Sequence, residues 1–155
     1  MLTVLQISSP ADLDTAFSIR RTVFVEEQRV DEREEYDEYE TISRHFLAWS
    51  DGIPCGTARW RRTSNGVKME RFAVLKDYRG QGVGKALVRA VLDNIFQQQP
   101  EPIESIYLHA QLSAILLYAS FGFVTVGSQF EEAGIQHYKM VLPGSAYQTQ
   151  SDTPG

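Results

Sequence analysis

One junction constrains the fold more than any other part of the chain: Val74-Leu75-Lys76-Asp77-Tyr78-Arg79-Gly80-Gln81-Gly82-Val83-Gly84-Lys85. An apolar run ends there and three alternating glycines follow. From Gly82 to Gln98 apolar residues then recur at Val83, Ala86, Leu87, Ala90, Val91 and Ile95, which is helical spacing. A strand that feeds a helix through a glycine loop implies a sheet with that helix packed on its face. Glycines carry no side chain, so backbone N–H groups can come close to a ligand. The helix N-terminus adds unpaired donors and a partial positive charge. Together they form a cradle for a phosphate or pyrophosphate, flanked by Arg79 and Lys85.

Spacing separates the nucleotide folds that use such cradles. A P-loop closes with Gly-Lys-Ser/Thr, whereas Gly84-Lys85 is followed by Ala86. A dinucleotide fingerprint sets its third glycine three residues after the second, and it follows the first strand of its domain. Here Gly82 and Gly84 are two apart, and the loop follows the fourth strand. The remaining alternative is a tight strand-to-helix turn that holds nothing.

The surrounding pattern gives a single domain within the 155 residues. Leu2–Ile7 reads as a strand. Ser9 is the N-cap and Pro10 the first residue of a helix that carries Leu13, Phe17, Ile19 and Phe24 to about Val25. A loop with a short helix around Asp37–Glu40 follows. Arg44–Trp49, Ile53–Arg62 and Val67–Val74 form an antiparallel meander joined at Asp51-Gly52 and Ser64-Asn65-Gly66. After the long helix come a loop at Gln97–Pro102, a strand at Ser105–Ala110 and a short helix at Ser113–Ser120. Strands at Phe123–Val126 and Gln136–Leu142 complete the order. The fold class is a mixed α/β sheet flanked by helices. The domain runs over 1–142, and 143–155 is a polar, frayed tail.

Composition narrows the function. Hydrophobic residues are 43% and charged residues 23%, as in ordinary soluble domains. No run approaches the ~20 apolar residues of a membrane span, and Met1–Gln6 lacks the basic flank of a secretory signal. A cytoplasmic monomer or homodimer is expected. A single cysteine, Cys55, and three scattered histidines show no metal-ligand spacing, so no metal is expected. Residues 26–40 hold nine acids and two arginines, whereas 59–89 hold nine bases and two acids. This polarity implies one cationic and one anionic partner, or two solvated faces of opposite sign. No aromatic stacking pattern accompanies the basic stretch, so nucleic acid is not expected.

Arg79-Gly80-Gln81-Gly82-Val83-Gly84 resembles the Arg/Gln-x-x-Gly-x-Gly/Ala signature of the GNAT N-acetyltransferases. A second stretch, Gln111-Leu112-Ser113-Ala114-Ile115-Leu116-Leu117-Tyr118-Ala119-Ser120-Phe121-Gly122-Phe123, is similar to that family's Asn-x-x-Ala-x-x-x-Tyr-x-x-x-Gly-Phe motif, with Gln111 in place of Asn. Arg20–Gln28 and Glu70–Val74 resemble its ElaA-like branch. The resemblance covers roughly 1–142. It implies a mostly antiparallel sheet, splayed at the cofactor site, and acetyl-CoA as cosubstrate. The amides from Gln81 through Gly82, Val83, Gly84 and Lys85 to Ala86 would hold the pyrophosphate. The backbone of Phe72, Ala73 and Val74 would pair with the pantetheine arm. Gln111 and Ala114 would lie beside it.

Transfer of acetyl to a small-molecule primary amine then needs a base, a donor to the carbonyl oxygen and a proton for the CoA sulfur. The resemblance assigns the last role to Tyr118, a phenol that keeps its proton at neutral pH. Glu70 is the candidate base, since strand periodicity puts it on one face with Phe72 and Val74. Its alternative is an ion pair with Arg59 or Arg61. Glu26 and His109 are the next candidates for the base, and His109 has the titration range of one. Glu26, Glu27, His45 and His109 are the candidate acceptor-binding residues. A non-catalytic acyl-CoA-binding module on the same fold is the rival function.

Overall fold

The computed structural model describes residues 1–98 and 105–143. Its strands are β1 (Leu2–Gln6), β2 (Arg44–Ser50), β3 (Ile53–Thr63), β4 (Gly66–Val74), β5 (Ile106–Gln111), β6 (Val124–Glu132) and β7 (Ile135–Leu142). They form one sheet in the order β1-β2-β3-β4-β5-β7-β6. Only β4 and β5 are parallel; every other neighbouring pair is antiparallel. The meander turns as its sequence dictates. Asp51 and Gly52 have φ of +50° and +83°, both in the left-handed region that a two-residue hairpin turn requires.

Helix α3 (Val83–Gln98) covers one face of the sheet, burying Val83, Leu87, Val88, Val91, Leu92 and Ile95 against Phe46, Ala58, Met69 and Leu108. Each such side chain contributes roughly 1.5–3 kcal/mol. The short helix α4 (Ile115–Ala119) lies on the same side. Helix α1 (Pro10–Arg20) covers the other face, where Ala16, Ile19, Val23 and Phe24 pack on Leu47 and Ala73. Ser9 Oγ accepts from the Asp12 amide at 3.2 Å, and Pro10 opens the helix.

The structure departs from the sequence pattern at four places. The helix does not run regularly to Val25: after Arg20 it widens into π-helical turns over Arg21–Glu27. The short helix of the acidic stretch, α2, is Glu32–Glu35 rather than Asp37–Glu40. Strand β6 runs on past Val126 to Glu132, and a turn at Ala133–Gly134, both with positive φ, leads into β7. The fourth departure is a bulge in β4 at the candidate site. The loop expected at Gln97–Pro102 lies largely, and the tail after Pro143 wholly, outside the described residues. Among the described residues no helix is long and apolar enough to cross a membrane.

Candidate active site

Strands β4 and β5 pair at three positions: Val67 with Ile106, Lys68 with Tyr107 and Met69 with Leu108. Beyond Met69 their ladder stops, although β4 continues to Val74 and β5 to Gln111. The break coincides with a bulge. Pairing with β3 jumps from Arg59–Glu70 to Thr57–Ala73, and Arg71 has φ +59°. A bulge adds twist and turns a strand away from its neighbour. A cavity of about 810 Å³ opens there, lined by Phe72, Ala73 and Val74 from β4 and by Leu108, His109 and Gln111 from β5.

Tyr118 on α4 lines the same cavity and is 6% exposed. Its ring meets Phe72 edge-on at 5.7 Å and Phe123 at 6.1 Å. Gly122, at φ +98°, turns the chain back so that Phe123 donates its amide to the Tyr118 carbonyl. Burial pushes the phenol well above its ordinary range, so it stays protonated. The glycine loop leads from the end of β4 into α3. Gly80 and Gly82 need their glycine identity for φ of +77° and +88°. A Cβ on Gly84 would lie 3.3 Å from Leu117 Cδ2, so that glycine lets α4 approach α3.

Most of the acids that line the cavity are paired with arginine. Arg59, which is fully buried, donates to Asp37 Oδ2 at 2.6 Å, to Glu40 Oε1 at 2.7 Å and to Glu70 Oε2 at 2.8 Å. Arg20 donates to Glu35 Oε1 at 2.7 Å and to both oxygens of Glu40. Arg71 donates to Asp37 Oδ2 and to the Glu34 and Glu35 carbonyls. Arg79 grips Glu27 with two nitrogens, at 2.6 and 2.8 Å, and donates Nε–H to the Val74 carbonyl at 2.9 Å.

An acetyltransferase (GNAT) domain model matches residues 14–143 of the chain. The chain belongs to the GNAT family. A Bacillus subtilis (strain 168) protein with a provisional acetyltransferase name is 40% identical over 142 residues, covering 90% of this chain and 95% of its own. ElaA of Escherichia coli (strain K12) is 29% identical over 136 residues, covering 85% and 88%. The ElaA crystal structure superposes with a TM-score of 0.77 at 26% identity, over 92% of this chain and all of that one. A Bacillus subtilis acetyltransferase solved in complex with CoA shares the fold, with a TM-score of 0.66 at 17% identity over 92% and 98%.

Several residues sit differently in this GNAT domain than their sequence suggests. The bulge at Arg71 reverses the strand's parity. Glu70 therefore does not share a face with Phe72 and Val74, which pack against the α3 side. Glu70 is gripped by Arg59, Arg61 and Lys68. Burial alone would raise its carboxyl, but these cations hold it down at about 2. At neutral pH such a group has little affinity for a proton and is a poor base. His45 lies outside the cavity; its Nε2 meets the Glu40 carbonyl at 2.8 Å, and burial lowers its pKa. Glu26 does not line the cavity, and Glu27 is bound to Arg79 rather than open to an acceptor.

The residues around the glycine loop also differ from the sequence expectation. Arg79 is neutralised by Glu27 and joins the π-helical segment to β4, so it is a clamp first. Ala86 donates its amide to the Gly82 carbonyl at 3.0 Å and has none to offer. Val83 is buried, so only its backbone is available, whereas Lys85 and Gln81 are exposed. The Gln111 side chain exchanges hydrogen bonds with Gln28 across the cavity, and Ala114 lines the wall beside it. The acidic and basic stretches thus bind each other through Arg59, Arg71 and Arg79. The charge polarity marks an internal ion network more than two ligand surfaces.

Sequence reasoning misses Arg71, Glu132 and His137, which all line the cavity. Glu132 and His137 flank the Ala133–Gly134 turn, and that turn was the available signal. Arg71 carries none, because an arginine at positive φ looks like any strand residue.

Proposed function

We propose that the protein is an N-acetyltransferase that moves the acetyl group of acetyl-CoA onto a primary amine of a small molecule, by direct attack in a ternary complex. The parting of β4 and β5 beside Tyr118, next to the glycine loop, carries this reading. Phosphates suit the amides of Gly82, Val83, Gly84 and Lys85, which begin a 16-residue helix. The pantetheine arm would lie along Phe72–Val74, where β4 has lost its partner on the β5 side. Its thioester then falls in the gap, with the Val74 amide as donor to the carbonyl oxygen.

The amine nitrogen attacks the thioester carbon, the C–S bond breaks, and its electron pair leaves with sulfur. Tyr118 meets that sulfur with its phenol. The raised pKa makes it a hydrogen-bond donor to the nascent thiolate at all relevant pH values. An assay of free CoA release over a panel of primary amines tests the proposal. Release that depends on an amine supports it. Tight acetyl-CoA binding with no release for any amine leaves a binding module instead.

A further inference from the structure

Among the carboxylates that line the cavity, Glu27, Glu35, Asp37 and Glu70 are all bound by arginine, and Glu34 is exposed at the rim. Glu132 is different, because its recorded partners are imidazoles. His109 Nδ1 lies 3.0 Å from Glu132 Oε1, and His137 Nε2 lies 3.9 Å from Glu132 Oε2. His109, Glu132 and His137 reach the cavity from three strands, β5, β6 and β7. Both rings are fixed by their surroundings. Phe130 meets His109 edge-on at 5.0 Å and stacks on His137 at 5.8 Å. The Nδ1 of His137 is held at 2.7 Å by the Ile135 carbonyl, which only accepts.

We propose that His109 is the base that takes the proton from the acceptor ammonium, with Glu132 as its positioning residue. This rests on the acetyltransferase reading above. A carboxylate on Nδ1 requires that nitrogen to donate, which leaves Nε2 as the proton acceptor in the neutral ring. The hydrogen bond with His109 keeps Glu132 ionised against the cost of burial, so the negative charge that supports an imidazolium is in place. Around the pair stand Lys68 on β4 and, on β7, His137 and Lys139, the last directly opposite His109 in the register.

The proton balance closes. Two protons leave the nitrogen of the protonated amine. The first goes to His109 Nε2 and then to water, which frees the lone pair that attacks the thioester. The second ends on the CoA sulfur as the C–S bond breaks.

The test uses wild type, His109→Gln, His137→Gln and Glu132→Gln, each checked for unchanged melting temperature and acetyl-CoA affinity. His109→Gln is expected to lower kcat/KM for the amine roughly 10²-fold, as loss of a general base does, and to abolish the acid limb of its pH profile. Glu132→Gln should move that limb to lower pH while retaining part of the rate. In wild type, nitrogen NMR should show the His109 proton on Nδ1. An active wild type whose His109→Gln variant keeps both rate and acid limb overturns this proposal alone, as does a loss confined to His137→Gln. A wild type that binds acetyl-CoA yet acetylates no amine overturns the acetyltransferase reading and this one together.

Discussion

Tyr118 and Glu70 are the two residues for which sequence and structure together give the sharpest expectations. Tyr118→Phe should lower kcat roughly 10²-fold, within the range for loss of an acid group. Acetyl-CoA affinity should hold, because the ring and its edge contacts with Phe72 and Phe123 survive. A titration calorimeter and the CoA-release assay separate the two effects, and undiminished kcat would remove Tyr118 from the chemistry. Glu70→Gln should leave the acid limb of the activity profile where it is, since a carboxyl held at about 2 does not titrate there. Its effect belongs to stability. The folded value lies below the ordinary 4.5, so the stabilisation is full above about 4.5 and drains as pH falls towards about 2. The variant should lose stability at pH 7, since the buried Arg59 keeps only Asp37 and Glu40 as counter-charges, at a cost of about 1.5–3 kcal/mol. The gap to wild type should close as the pH approaches 2. Equal denaturant midpoints at pH 7 would contradict the network.

At the scale of elements, legibility followed the locality of the signal. The Ser9-Pro10 start of α1 and the Asp51-Gly52 hairpin are decided by two or three adjacent residues, and both formed as their chemistry requires. So did the glycine junction before α3. The sequence pattern stops β6 short because the strand is a sheet edge exposed at most positions, so no apolar alternation marks it. Gly127 at φ +76° and the shifted register around it break the pattern further. The bulge at Arg71 and the pairing of Glu27 with Arg79, 52 residues apart, are tertiary outcomes with no local mark. That pairing carries its own expectation. Because Arg79 also holds the Val74 carbonyl, Glu27→Gln should loosen the π-helical segment from β4. The KM for acetyl-CoA should rise several-fold while the KM for the amine changes less, as steady-state kinetics with each substrate varied in turn would show. The opposite ranking would return Glu27 to the acceptor side.

The whole molecule is two unequal sheet segments, β1–β4 and β5–β7–β6, joined along the sheet by three residue pairs of one parallel ladder. Helix α3 packs over β1–β4 on one face, and the Gln28–Gln111 exchange ties the opening from the other side. A ligand laid along Phe72–Val74 would add bonds where the ladder has stopped, so binding should stiffen the seam as well as fill it. Acetyl-CoA at ~100 times its dissociation constant adds about 2.7 kcal/mol to the folded state. For a domain of this size that raises the melting temperature by roughly 5–10 °C. Hydrogen exchange should slow at Phe72–Val74 and at the first amides of α3, and much less in β1 and β2, which lie away from the seam. Gly82→Val should abolish both responses, because a β-branched side chain cannot comfortably hold φ +88° and would distort the amide cradle. The unliganded variant should still fold, since a Cβ there meets only Leu2, at 3.9 Å. A full thermal shift in Gly82→Val, or protection that appears in β1 and β2 instead of the seam, would place the cofactor elsewhere on the fold.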